Sequence, residues 1–196
     1  MSETARDETG EARDERDGTL ERVAGRWRLR FVRVLRHPPE RVWRALTEES
    51  QLAAWFPTTI EGDFAPGGAL RFRFRGEEMP PSTGEMIACE PPRLLEFTWG
   101  FTAEGDAQPE HCRFELSPEG RGCRLTFTTT YDQVGKSARD AAGWHVCFDL
   151  LEAELAGEPR SGSSPERWKP LNRRYAERFG PEAATIGPPD AMQEYQ

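Results

Sequence analysis

AAGWHVCFDLLEAELAG, Ala141 to Gly157, decides how the rest of the chain is read. At about 100° per residue, Trp144, Cys147, Phe148, Leu151 and Leu155 fall on one broad apolar stripe, and Asp149 and Glu152 fall outside it. Gly157 is a natural terminator, so the stretch predicts a long amphipathic helix. His145 lies at the border of the stripe. A Trp, a His and a Cys so close together admit two readings: a catalytic strip, or one wall of an apolar cavity.

The residues before this helix read as strands. HCRFELSPEGRGCRLTFTTTYD predicts a hairpin around Pro118-Glu119-Gly120. With Ser117 and Gly122 closing the loop, Phe114 opposes Leu125, Leu116 opposes Cys123, and Cys112 faces Phe127. One face of both strands is then apolar, and the two thiols do not meet. PPSTGEMIACEPPRLLEFTWGF reads as two strands joined at Glu90-Pro91-Pro92-Arg93, with Leu95, Phe97 and Trp99 on a common face. ALRFRFRG alternates strictly, setting Leu70, Phe72 and Phe74 against Arg71, Arg73 and Arg75; the arginines form a solvated strand face. The preceding APGG is a turn, because no Lys-Ser/Thr and no helix follow it as a phosphate loop requires.

Further upstream, RWRLRFVRVLRH is strand-like with a broken pattern. Trp27, Leu29 and Phe31 share one parity and Val32 and Val34 take the other, so either a bulge or burial on both faces is expected. PPERVWRALT begins a short helix with Pro39 in its first turn and Val42, Trp43 and Leu46 inward. QLAAWF, capped by Thr47 or Ser50, is a second short apolar face that Pro57 stops.

Composition bounds the ends. The chain of 196 residues is 36% hydrophobic and 31% charged, with a formal net charge of −8. Residues 1–25 hold eight acids and four arginines with no apolar period, and read as a disordered acidic tail. Residues 26–157 form the domain, 158–164 a linker, and 165–180 an amphipathic helix carrying Trp168, Leu171, Tyr175 and Phe179. That stripe buries against the domain, or else against a partner protein or a second copy of the chain. Residues 181–196 read as a second disordered tail. The acidic balance argues against nucleic acid, which needs clustered Lys and Arg. No apolar run is long enough to span a bilayer and no signal peptide is present, so a cytoplasmic location is expected. The four cysteines lack CxxC spacing and read as reduced and packed. Three scattered histidines offer no metal-ligand spacing, and neither a metal nor a cofactor is expected.

The order is strand, two short helices, further strands, a long helix and an appended helix. It predicts an α+β fold: a curved antiparallel sheet of about six to seven strands gripping the long helix. VWRALTEESQLAAWF, DFAPGGALRFRF, TGEMIACEPPRLLEFTW, CRFELSPEGRGCRLTFTTTYD and AAGWHVCFDLLEAELAG, in this order, resemble the START-like (SRPBCC) superfamily. More narrowly, they resemble the bacterial homologues of the activator of the heat-shock ATPase, the AHSA-type domains. The resemblance covers about Trp27 to Gly157. It implies a helix-grip fold with a hydrophobic cavity between sheet and long helix. Members include lipid carriers, hormone and polyketide binders, aromatase/cyclases, and domains that stimulate a chaperone ATPase; fold does not choose among them.

Within that frame the cavity is expected to be lined by Trp55, Phe72, Phe74, Phe114, Phe127, Trp144, Phe148 and Leu151, and to hold a small hydrophobic or amphipathic ligand. His145 and Glu85 are the candidates for polar groups that orient the ligand. In the enzymatic alternative, a cyclase/dehydratase-like or hydrolase-like activity on a polyketide or aromatic substrate, they are the acid or base. Glu61 and Asp63 lie on or beside strands, and Glu96 has the parity of the outer face. Cys147 has no basic neighbour in sequence and reads as inert packing. A protein-interaction or chaperone-regulating module is the third reading, through the Trp168–Phe179 stripe.

Overall fold

A computed structural model describes residues 15–75, 80–100, 108–158 and 165–187. Its centre is an eight-stranded antiparallel sheet, one strand larger than the upper expectation. In chain order the strands are β1 (Thr19–Val23), β2 (Arg26–Leu35), β3 (Thr58–Gly62), β4 (Ala69–Phe74), β5 (Ser82–Glu90), β6 (Leu94–Trp99), β7 (Glu110–Glu119) and β8 (Gly122–Tyr131). They lie side by side as β1-β2-β8-β7-β6-β5-β4-β3. The helices are α1 (Pro39–Thr47), α2 (Glu49–Leu52), α3 (Ser137–Ala156) and α4 (Pro165–Phe179). Helix α3 lies across the concave face of the sheet, and α4 packs on α3. Among the described residues, no helix is long and apolar enough to cross a membrane.

The hairpin β7–β8 closes two residues tighter than expected, pairing Glu119 with Gly122 across Gly120-Arg121. Gly120 has φ of 59°, the left-handed conformation that a two-residue hairpin loop requires. A shift of two residues preserves parity, so the predicted face is right although its pairs are not. Phe114 opposes Phe127, Leu116 opposes Leu125, and Cys112 opposes Thr129. All four cysteines are free thiols.

Strand β2 contains neither the bulge nor the two-sided burial that its sequence suggested. It pairs with β8 in unbroken register from Trp27↔Tyr131 to Leu35↔Cys123. Leu29, Phe31, Arg33 and Leu35 point inward, whereas Val34 is 59% exposed. An arginine therefore occupies an inward position between two core residues, and a valine faces solvent.

Residues 15–25 are not a tail. Ala24 and Gly25, both with positive φ, turn β1 back on β2 with Val23 opposite Arg26. The strand contributes backbone pairing at a sheet edge and little apolar surface, which is why its composition concealed it. Gly18, just before it, is buried; a Cβ there would lie 2.5 Å from the Phe31 ring. Residues 1–14, the linker residues 159–164 and residues 188–196 lie outside the described part of the chain. Residues 181–187, expected to open a second tail, are placed against the domain: Pro181–Ala184 forms a 3-10 turn with Ala183 buried, and Ile186 N–H donates to the Gly135 carbonyl at 2.9 Å.

Helix α3 ends as its sequence requires, with Gly157 at φ 70° and Glu158 N–H donating to the Ala153 carbonyl at 2.9 Å. Helix α4 contains Pro170, which removes one intrahelical hydrogen bond on an exposed face. Its inner face buries Trp168 and Tyr175 against the domain, with Leu171 and Phe179 half-buried. The stripe considered for a partner protein or a homodimer is thus occupied within the chain. Helix α2 has Glu48 at its N-cap position without a side-chain cap, rather than Thr47 or Ser50.

Candidate functional site

The eight residues expected to line a cavity meet at the interface of sheet and helix. Trp55, Phe72, Phe114, Phe127, Trp144, Phe148 and Leu151 are buried, and Phe74 is half-buried at the edge. Sequence periodicity placed them there: inward parity on β4, β7 and β8, and the apolar stripe of α3. Their rings touch. Trp144 lies 4.1 Å from Phe127 and 5.8 Å from Phe148, and Phe114 lies 4.7 Å from Phe127, all centroid to centroid. Phe31, Phe56, Phe97 and Trp99, not among the expected lining, extend the cluster. These are spacings of well-packed aromatic pairs. The indole N–H groups are satisfied: that of Trp55 donates to the Ala45 carbonyl at 2.8 Å, and that of Trp99 to the Ser82 hydroxyl at 3.1 Å.

An open groove of about 550 Å³ lies where the last turns of α3 meet the end of β2. Leu35, Ala153, Leu155 and Ala156 supply its apolar part, and Arg16, Arg36, His37, Glu152 and Arg167 its polar part. Behind Glu152 and Arg16 sits Arg33, 2% exposed. Its guanidinium carbon lies 5.4 Å from the Phe148 ring and 5.5 Å from the Phe31 ring, so it also faces the aromatic cluster. Nη1 donates to the carbonyls of Arg16 and Val32, and Nε lies 3.1 Å from Glu152 Oε1. Burial lowers the Arg33 pKa and raises that of Glu152, each opposed by the attraction of the other. Sequence reasoning passed over Arg33, although it shares the parity of Leu29, Phe31 and Leu35.

His145 is not at a cavity mouth. It is 5% exposed and turned toward α4 and the N-terminal segment. Its Nδ1 lies 2.8 Å from the Tyr175 hydroxyl oxygen, which accepts the Gly18 N–H at 2.9 Å. With the imidazole neutral, Tyr175 O–H donates to Nδ1. Asp17 lies 3.8 Å from Nδ1 and binds Arg174 and Arg178, while Asp149, 3.7 Å from Nε2, pairs with Arg16 and Arg167. Burial above all pushes the His145 pKa down to about 4; Asp149 pulls it up, and Arg33, Arg174 and Arg16 push it down further. The unfolded chain therefore takes up a proton near pH 6.5 that the folded chain refuses until about pH 4. Stability is expected to fall as pH drops through this window. In melts between pH 4 and 7, His145→Gln should flatten that part of the dependence; an unchanged slope would mean that His145 does not contribute to it.

The carboxylate candidates disperse. Glu85, the expected inward carboxylate, is exposed on β5 opposite Ala69, because Met86 takes the inward parity there. On the face opposite Met86, it has no place beside buried His145 as an acid–base partner. Glu61 and Asp63 are also exposed. Glu96 is on the outer face as expected, yet buried there beneath its partners Arg113 and His111. Arg71 and Arg73 are solvated, whereas Arg75 donates to the carbonyls of Ala53, Phe56 and Thr58. The Cys147 thiol is pushed up to about 12 by burial, which leaves no thiolate near neutrality. At the far end of α3, fully buried Lys136 pairs with Glu110 and lies 4.9 Å from the Tyr131 ring centroid. Among the described residues no His/Cys/Asp/Glu group could hold a metal.

Solved structures share this architecture. The solution structure of CalU16 from Micromonospora echinospora superposes with a TM-score of 0.64 at 24% identity, over 86% of this chain and 95% of that one. The solution structure of the protein encoded by gene BPP1335 of Bordetella parapertussis gives 0.62 at 28% identity, over 91% and 95%. A conserved protein, EF2215 from Enterococcus faecalis, gives 0.64 at 20% identity, over 83% and 90%. No curated protein matches the sequence significantly. The model of the activator of Hsp90 ATPase homolog 1-like proteins matches residues 36–156, which run from the end of β2 to the end of α3. With the eight-stranded sheet gripping α3, the match shows that the chain belongs to the activator of Hsp90 ATPase homolog 1-like family, within the START-like fold.

Proposed function

We propose that this protein binds a small, largely apolar molecule between the sheet and α3. The observation that carries the reading is the continuous aromatic cluster, from Phe31 through Phe127 and Trp144 to Phe74. Once its rings part, such a cluster rewards a planar or chain-like hydrophobe by area and ring contact. The groove beside Leu35 and Leu155 is the entrance, and the ligand makes room by moving the Phe148 and Trp144 side chains. Phe148 is the first ring met on that path, because Arg33 at the back of the groove packs on it.

Calorimetric titration with methyl 2-naphthoate, a neutral aromatic probe, tests this. One saturable site is expected, with a rise in melting temperature at saturating probe, since ligand at ~100-fold above Kd stabilises by about 2.7 kcal/mol. Ala153→Trp fills the groove from a half-exposed position and should abolish binding while leaving the melting temperature of the free protein within a few degrees. Absence of heat and of thermal stabilisation with the native chain would reject the reading.

A further inference from the structure

We infer that the molecule bound at the sheet–helix interface carries an anionic head, a carboxylate or sulfonate, and that Arg33 receives it. The inference rests on the ligand-binding reading above and adds the chemical class of the ligand. It begins from a guanidinium left incomplete. Arginine has five N–H donors. At Arg33, Nη1 is engaged with the Arg16 and Val32 carbonyls. Among the described residues, Nη2 is buried and has no hydrogen-bond partner, and Nε faces Glu152 without a hydrogen-bond alignment. Glu152 is shared: one oxygen lies 3.1 Å from Arg33 Nε and the other binds Arg16 at 2.9 Å.

An inward arginine with open donors is costly, since a buried charge is tolerated only when its hydrogen bonds are met. Lys136, the other fully buried cation among the described residues, is paired with Glu110. The Nε–Nη2 edge of Arg33 is the planar fork that a carboxylate fits with two parallel bonds. Its position supplies the rest of the specificity. One side of the guanidinium lies against Phe31 and Phe148, where an apolar body would rest; the other abuts Arg16 and Glu152 at the groove wall. A ligand that enters through the groove passes Glu152, takes its place on Arg33, and lays its apolar body on the rings. Glu152, one-third exposed, swings to solvent and keeps Arg16 as its partner.

The test compares 2-naphthoate with its methyl ester, equal in ring and differing in charge, by calorimetry at pH 7.5. The acid should bind the native chain at least tenfold more tightly than the ester. Arg33→Met keeps the apolar stem and should bring the acid-to-ester affinity ratio to about one, and Arg33→Lys should restore part of the preference. The native chain alone decides if the variants fail to fold. Equal affinities for acid and ester would overturn the anionic head and leave the apolar site standing. No binding of either probe would overturn both.

Discussion

Truncation after Gly157 is expected to abolish cooperative folding. The cut removes Tyr175, fully buried, and Trp168, whose indole N–H reaches the Arg139 carbonyl at 3.3 Å. It also strips the cover from His145 and Phe31, and leaves Gly18 N–H without its acceptor. Removing one buried aromatic side chain costs about 3–5 kcal/mol, and whole domains are stable by only about 5–15 kcal/mol. Two such losses with three orphaned polar groups consume most of that margin. Circular dichroism melts and sedimentation should show a broad transition and association. Tyr175→Phe is the mild counterpart: it removes one hydroxyl that serves both Gly18 and His145, and should cost about 1–3 kcal/mol without aggregation. A truncated chain that melts sharply at the native temperature would show α4 to be an appendage.

Trp144→Ala is expected to be the most damaging single change in the aromatic cluster, and also the most informative about binding. Trp144 touches Phe56, Trp99, Phe114, Phe127 and Phe148, so its neighbours come from α3, from the α2–β3 connection and from three strands. Neighbours held by separate elements cannot all move in to fill the space. The loss should be about 3–5 kcal/mol, a fall in melting temperature on the order of 10 °C. The void left behind is apolar and of indole size, and voids of this kind accept aromatic guests. Indole at millimolar concentration should therefore recover part of the lost melting temperature in the variant and change the native protein far less. A fall below about 1 kcal/mol, or no recovery with indole, would mean that Trp144 is not held between sheet and helix as described. The same substitution separates packing from ligand contact: if Trp144 is the ring a ligand displaces, methyl 2-naphthoate should bind the variant more tightly than the native chain.

Both predictions depend on packing, and they mark how far the sequence alone reaches. Local pattern determined the elements and their faces. Period two placed Phe72, Phe114 and Phe127 on one side of the sheet; period 3.6 placed Trp144, Phe148 and Leu151 on one side of α3. These signals survive because a half-buried strand or helix must repeat its apolar positions at the period of its own backbone. Pattern also carried the family resemblance, and it tolerated a hairpin register wrong by two residues, since a shift of two changes partners but not faces.

Tertiary structure alone decided everything that depends on which distant groups meet. Strand β1 is polar and was missed, because its stabilisation is backbone pairing with β2 rather than its own side chains. His145 lies at the edge of the stripe in sequence, yet its role was set by Tyr175, thirty positions on in the chain, and by the backbone of Gly18. Arg33 is one of four arginines in β2, beside Arg26, Arg28 and Arg30. Parity with Leu29, Phe31 and Leu35 gives its direction, but only the arrival of Phe148, Glu152 and Arg16 over it makes a buried cation, because burial of a charge depends on what closes over it.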